Sequence, residues 1–467
     1  MAFLPDASLY ILLNILIGIN IASKLLVSRH WSEPFIGINY GNLGDNLPSP
    51  EDTVKLLQST SIQKIRLYNP DIPMIKALAN SGIDIVVGTQ NSEIPALASD
   101  PNAAKTWINT NVLPFYPASN IFLIMVGNEV SLDENFRKQL LPAMQNMQNA
   151  LDAASLGGKI KVSTVHSMSV LSHSDPPSSG KFQTWLVDVM KGFLGFNNAT
   201  GSPFAINPYP YYAYNSDPRP GYLAYCLFQV NAGRVDPNNN IKYMNMFDAQ
   251  VDAARSALNS LGYNNVEIVV TETGWPSKGD DKEPWATIDK AKDYYSGLIT
   301  HLRSKAGTPL MPGKTTDTYL FALYDENLKQ GPISERSFGL FKPDRTANFD
   351  VGLLKNNKEN PGAPNKAMWC VPKEGVTNKQ LQANIDYACG RGIDCSPIAP
   401  GGACFEPDTL ASHAAYAMNL HHQTNGRNAW DCDFSKTATL SSKDPSYKGC
   451  IYPSNARESK DELTNML

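Results

Sequence analysis

Three observations predict an α/β fold, a closed (β/α)8 TIM barrel followed by a small disulfide-stapled C-terminal domain. Eight short apolar or β-branched runs alternate with stretches of helical period, two glutamates each follow such a run, and six cysteines crowd the end of the chain. The runs fall at residues 35–40, 62–68, 84–89, 121–126, 159–165, 203–207, 266–271 and 318–323. Runs this short and this apolar suit strands covered on both faces, as parallel sheets require. Between them, stretches such as 49–59 and 247–261 space apolar residues three and four apart and open on Ser, Asp or Pro signals, so they are expected to be helices. A doubly wound sheet is the competing architecture, but Gly41-Asn42-Leu43-Gly44 is a poor version of its Gly-rich turn. A phosphate-loop fragment at Gly313-Lys314-Thr315 fails as well: Gly307 is one residue too far upstream and a strand follows it.

A chain of 467 residues that is 42% apolar has room for two or three domains and a sizeable core. Its net charge of -4, with both signs dispersed, offers no footprint for a polyanion, so nucleic acid is not an expected partner. Twenty tyrosines and seven tryptophans among only 18% charged residues suit uncharged ligands that stack on rings, as sugars do.

Cys226 stands alone, whereas Cys370, Cys389, Cys395, Cys404, Cys432 and Cys450 share the last hundred or so residues. Zinc is the alternative to disulfides for such a cluster, but no C-x-x-C pair or Cys/His ligand spacing is present, so no metal is expected. Disulfides imply an oxidising compartment. The apolar run 9–22 resembles a secretory signal, although Asp6 replaces the usual basic residues and a retained membrane anchor is the alternative. KDEL at 460–463 is followed by four residues, so a receptor that reads the extreme C-terminus would miss it. The expected division is a signal peptide at 1–30, the barrel at 31–350, a linker rich in Asn, Pro, Gly and Lys at 351–368, the stapled module at 369–452 and a polar tail at 453–467. A secreted monomer with no membrane span after signal removal is expected, with Asn198 as its candidate N-glycosylation site.

Glu129 in VGNEV and Glu272 in VTETGWP each follow a strand-like run, and a polar residue there must leave the core or be paired. Two carboxyl groups at one barrel mouth suit glycoside hydrolysis, in which one donates a proton and the other attacks or activates water. The barrel also brings Asn39, Tyr40, Arg66, Tyr68, Gln90, Asn128, His166, Asn207, Tyr209 and Glu326 to the same rim.

VTETGWPSKG resembles the signature of the plant glycoside hydrolase family 17 β-1,3-glucanases, and VGNEV resembles their acid-bearing segment. IGINYG at 36–41, RLYNPD at 66–71, NPYPYY at 207–212 and DENLKQGPISERSFGLF at 325–341 extend the likeness in the same order. The resemblance implies Glu129 as general acid/base, Glu272 as nucleophile of a retaining mechanism, and Asn128 as a partner of the sugar 2-hydroxyl. Tyr40, Tyr68, Tyr209, Tyr211 and Trp275 are expected to bind substrate in the sugar groove. The resemblance also implies that Glu326, Lys329 and Glu335 surround the site, contact substrate and order it, with no cofactor. Asp325 stands where the family usually has Asn, and its charge is expected to raise the pKa of neighbouring glutamates. WCVPKEGV at 369–376, DYACG at 386–390 and CDFSKTATL at 432–440 resemble the X8 domain, or carbohydrate-binding module family 43. That likeness implies β-1,3-glucan binding and the pairs Cys370–Cys432, Cys389–Cys395 and Cys404–Cys450. His421 and His422 lie where the family commonly has two tyrosines, so weak binding is expected, with tyrosine at both positions strengthening it. The implied protein is a secreted cell-wall endo-β-1,3-glucanase acting on callose-like polymers. A glucan-binding protein without useful turnover and a transglycosylase are the rival readings.

Overall fold

The computed structural model describes residues 36–314, 316–355, 368–390, 393–424 and 429–454. The apolar run 9–22, the KDEL sequence and residues 356–367 of the linker lie outside the described residues.

Eight parallel strands close into a barrel: β1 (Ile36–Tyr40), β2 (Lys64–Leu67), β3 (Asp84–Gly88), β4 (Ile121–Asn128), β5 (Lys161–Ser167), β6 (Phe204–Asn207), β7 (Ile268–Thr273) and β8 (Thr318–Leu320). Every residue of β1, β2 and β7 is buried, which is why these strands read as continuous rather than alternating apolar runs. Val86, Phe122, Leu123, Met125, Val165, Ala205, Val269 and Tyr319 form one cluster of their own. Ile85, Val87, Ile124, Val126 and Ile206 join the larger core shared with the surrounding helices. At roughly 1.5–3 kcal/mol for each fully buried large side chain, this two-sided burial is what holds the barrel shut.

Helices around the barrel include α1 (Pro50–Gln58), α2 (Ile72–Ala77), α3 (Pro101–Asn111), α4 (Glu134–Ala153), α5 (Val187–Thr200), α6 (Met246–Ser260) and α7 (Ile288–Ser304), with further short helices at Ile94–Ser99, Pro210–Ser216 and Tyr222–Cys226. Side chains cap several of them: Ser49 accepts from Asp52 N at the head of α1, Asp133 from Asn135 N before α4, and Asn245 from Asp248 N before α6. Each strand therefore delivers its C-terminal end, and the loop beyond it, to one face of the barrel. Past β8 the chain stays with the barrel, since Val351 and Leu353 are buried and Ser61 N donates to Leu353 O at 2.7 Å.

The stapled module pairs β9 (Trp369–Pro372) antiparallel with β10 (Ala438–Ser441), alongside α8 (Asn378–Cys389) and α9 (Leu410–Thr424). Its disulfides are Cys370–Cys432, Cys389–Cys395 and Cys404–Cys450, and Cys226 in the barrel is a buried free thiol. The module rests on the barrel's flank: Met244 joins the module's core, Tyr387 OH donates to Phe228 O at 2.8 Å, and Thr300 of α7 donates to Asp431 at 3.3 Å.

That core corrects the expectation for His421 and His422. They are only 3% and 1% exposed, and His421 packs its ring 5.4 Å from those of Tyr387 and Phe434. Both rings are packed in the module's interior, His421 at the edge of a cavity shared with Phe228 and Phe434, so neither stands on the open surface as a stacking platform. His422→Tyr is instead expected to overpack the module at a cost of about 1–3 kcal/mol, read as a lower melting temperature with no gain in retention on insoluble glucan.

Candidate active site

Both glutamates stand at irregularities in their strands. Between Met125 and Asn128, β4 carries one residue more than β5 opposite, and between Val270 and Thr273, β7 carries one more than β8. Such bulges occur at barrel rims, where they re-aim the side chains that follow. Gly127 makes the first possible: its φ is +69°, and a Cβ there would lie 2.7 Å from Ile94 Cδ1. Glu129 follows at φ 56°, a left-handed conformation uncommon outside glycine, with its N–H donating to Val165 O at 3.1 Å.

The two carboxylates have different surroundings. Asn207 Nδ2 donates to Glu129 Oε1 at 2.7 Å. Glu129 is exposed along the groove. Desolvation beside the groove walls, reinforced by the charge of Glu272, pushes its pKa up to about 7. Glu272 is 7% exposed, and both its oxygens accept: Oε1 from Arg66 Nη1 at 2.7 Å and Oε2 from Tyr209 OH at 2.9 Å. Arg66 lies wholly inside and holds three further acceptors, Asn39 Oδ1, Thr271 O and, through Nη2, Asn128 Oδ1 at 2.7 Å. Its guanidinium lies 4.4 Å from the centre of the Tyr68 ring, and Tyr68 OH donates to Asn39 Oδ1. One network thus links strands β1, β2, β4 and β7, while Thr271 Oγ1 donates to Asn207 Oδ1 and brings in β6.

These groups floor a groove of about 790 Å³ across the barrel mouth. Its walls include Leu43, Met168, Tyr212, Phe321, Glu326, Lys329 and Glu335. Lys329 pairs with Glu335 at 3.0 Å and sits 4.4 Å over the Phe321 ring, while Glu326 accepts from Leu43 N at 3.0 Å. Burial raises the Glu326 pKa. Gly41 is required beside it, because a Cβ there would fall 2.1 Å from Glu326 Oε1. Among the described residues no cluster of three or more His, Cys, Asp or Glu side chains could hold a metal ion.

A barrel whose rim presents two unlike carboxylates in one groove can now be set beside known proteins. Residues 36–353 match the family described as glycosyl hydrolases family 17, and residues 368–439 match the X8 domain. The chain belongs to glycosyl hydrolases family 17. The glucan endo-1,3-beta-glucosidase 7 of Arabidopsis thaliana is 61% identical over 446 residues, covering 94% of this chain and 88% of its own. The glucan endo-1,3-beta-D-glucosidase of Olea europaea is 59% identical over 434 residues, covering 91% and 94%. Among solved structures, CJP38, a beta-1,3-glucanase and allergen of Cryptomeria japonica pollen, superposes with a TM-score of 0.66 at 45% identity, over 69% of this chain and all of its own.

In this family 17 hydrolase the groove is lined by Tyr68, Asn128, Glu129, Tyr209, Glu272, Glu326, Lys329 and Glu335, but Tyr40, Tyr211 and Trp275 are buried behind it. Those three are corrected from ligand contacts to supports. Tyr40 meets Tyr324 edge-on, and Trp275 donates through Nε1 to Trp285 O at 2.8 Å. Tyr211 OH donates to Glu283, which also accepts from Ser334 beside Glu335. His166 is likewise in the core, stacked on Phe204, where burial drives its pKa down to about 3. Asp325 turns away as well, accepting from Gly339 N and Asn348, and the neighbouring charges that raise Glu129 and Glu326 are led by Glu272. Asn198 is exposed near the C-terminal end of α5, on the face opposite the groove, where Lys161 at the start of β5 donates to Thr200 O.

Asn207 and Tyr212 in the groove, and Arg66 buried beneath it, are the residues to which the sequence assigned no role of their own. A charged side chain inside the strand run KIRL was the available signal for Arg66. Arg66→Met would strand the Glu272 charge in the interior. Breaking a buried pair from one side typically costs about 3–5 kcal/mol, so a large drop in melting temperature is expected. Arg66→Lys, which keeps the charge but not the fork of donors, should recover part of it.

Proposed function

We propose that the protein is an endo-β-1,3-glucanase that hydrolyses its substrate with retention of anomeric configuration. The observation that carries this reading is the division of labour between the two carboxyl groups: Glu129 has a pKa near 7 and can hold a proton, while Glu272 is fixed by Arg66 and Tyr209 with both oxygens accepting. In the first step Glu272 attacks the anomeric carbon and the glycosidic bond breaks. The Glu129 proton passes to the departing oxygen, leaving a glycosyl ester on Glu272. In the second, Glu129 takes a proton from water, the resulting hydroxide displaces Glu272, and both groups return to their starting states. Asn128, held by Arg66, would face the sugar 2-hydroxyl, and Tyr68, Tyr209 and Tyr212 supply ring surface along the groove.

The substrate reading rests on the two plant relatives, both named as glucan endo-1,3-glucosidases, and on a groove open enough for a polymer to lie across the mouth. We assign action to callose-like polymers outside the cell, in keeping with three disulfides in the module. Incubation with linear β-1,3-glucan and with mixed-linkage glucan tests this. Short oligosaccharides from the linear polymer are expected. Longer chains would indicate transfer to another glucan, and an unchanged polymer would indicate binding alone.

A further inference from the structure

The large aromatic side chains exposed among the described residues are Tyr212, which lines the groove, and Trp185, which is 55% exposed outside it. Trp185 lies in the turn Thr184–Leu186 just before α5. Its ring is backed by Arg137 in the first turn of α4, whose guanidinium carbon is 4.7 Å from the ring centre. The Arg137 side chain is only 13% exposed and is paired with Glu134 at 3.6 Å. One face of the indole is therefore fixed against an anchored cation, and the solvent-accessible surface is the remainder of the ring.

The position of this ring gives it a use. Helices α4 and α5 both begin at the mouth end of the barrel, directly after the loops that follow β4 and β5. Gln183, two residues before Trp185, donates through its backbone N–H to Val170 O at 2.8 Å and through Nε2 to Leu171 O at 3.2 Å. That tie secures the turn to the segment whose Ser167, Met168, Ser169 and Ser174 form one wall of the groove. Trp185 thus belongs to the turn tied to that wall's segment, at the mouth end of the barrel on the β4–β5 side.

We propose that Trp185, backed by Arg137, is an accessory stacking platform for a glucosyl unit of a long β-glucan chain that extends beyond the groove. A pyranose ring with equatorial hydroxyls presents an apolar face of C–H groups, which matches a flat exposed indole. A polymer crossing the wall reaches the platform, whereas an oligosaccharide contained in the groove does not. The platform raises affinity for polymer and leaves the chemistry untouched.

This inference rests on the β-glucan reading, and its test separates the two. Wild type, Trp185→Ala and Trp185→Phe are compared on linear β-1,3-glucan polymer and on β-1,3-linked glucotetraose, with melting temperatures measured alongside. Trp185→Ala is expected to lower kcat/KM on the polymer about three- to tenfold, mainly through KM. The tetraose should be cleaved within about twofold of wild type, and Trp185→Phe should recover part of the polymer loss. An unchanged polymer rate, or equal losses on both substrates in the folded Phe variant, would overturn the platform and leave Trp185 as a cover for Arg137. Failure of the wild type to cleave either substrate would instead overturn the β-glucan reading itself.

Discussion

Glu272→Ala is expected to lower turnover on β-1,3-glucan by several orders of magnitude, because no other carboxylate in the groove is aimed by Arg66 and Tyr209 together. The loss should appear in kcat and kcat/KM alike, since the ester to Glu272 forms only as the reaction proceeds. Some stability should be lost with the buried counter-charge of Arg66, but its three other acceptors, Asn39, Thr271 and Asn128, remain, so turnover is compared below the variant's own melting temperature. Azide is small enough to enter the space vacated by the carboxylate. With an activated aryl glycoside it is expected to restore part of the activity and to give the α-glycosyl azide. Near-wild-type turnover in a clean preparation would remove Glu272 from the mechanism.

Glu129→Ala should separate substrates by leaving group. Proton donation is worth about 10²–10⁴-fold where the departing oxygen is a sugar alkoxide and little where it is a stabilised phenolate, so glucan cleavage should collapse while the first step on activated aryl glycosides persists. Equal losses on both would exclude Glu129 as the acid. The wild-type pH profile carries the same assignment, for the acid works only while protonated. With its pKa pushed up to about 7 by desolvation and by Glu272, kcat/KM is expected to fall as pH rises through about 7. Stability follows the same sign. A folded pKa above the ordinary 4.5 means the native state holds the proton longer than the unfolded chain, so the group's contribution is complete below 4.5 and lost as pH rises to about 7. Glu129→Gln should lack that decline, and urea unfolding of both proteins at pH 4 and pH 8 measures it.

The strands were legible because two-sided burial leaves an unmistakable apolar run, and the glutamates because they interrupt such runs at the end that faces the mouth. What escaped the sequence was which way neighbours point. Tyr211 and Tyr212 are adjacent, yet Tyr211 is buried against Glu283 and Tyr212 stands in the groove. Asp325 and Glu326 diverge in the same way, Asp325 toward Gly339 and Glu326 toward Leu43. The extra residues in β4 and β7 shift the side-chain alternation by one, and nothing in a linear motif marks that shift. Arg66 reads as one rim residue among many until it is seen to hold Glu272, 206 positions away in the chain. In the module, α9 buries both His421 and His422, so ring type at those positions bears on packing inside the module.

The measurement that tests the central claim most directly is proton NMR of the reducing ends released in the first minutes of linear β-1,3-glucan cleavage, before mutarotation scrambles the anomers. If Glu272 forms a covalent glycosyl ester and Glu129 delivers water to the same face, new ends appear first as the β anomer and the α anomer grows in later. Initial release of the α anomer would mean a single displacement by water, and would contradict the nucleophilic role of Glu272 and the part of Glu129 as base in a second step.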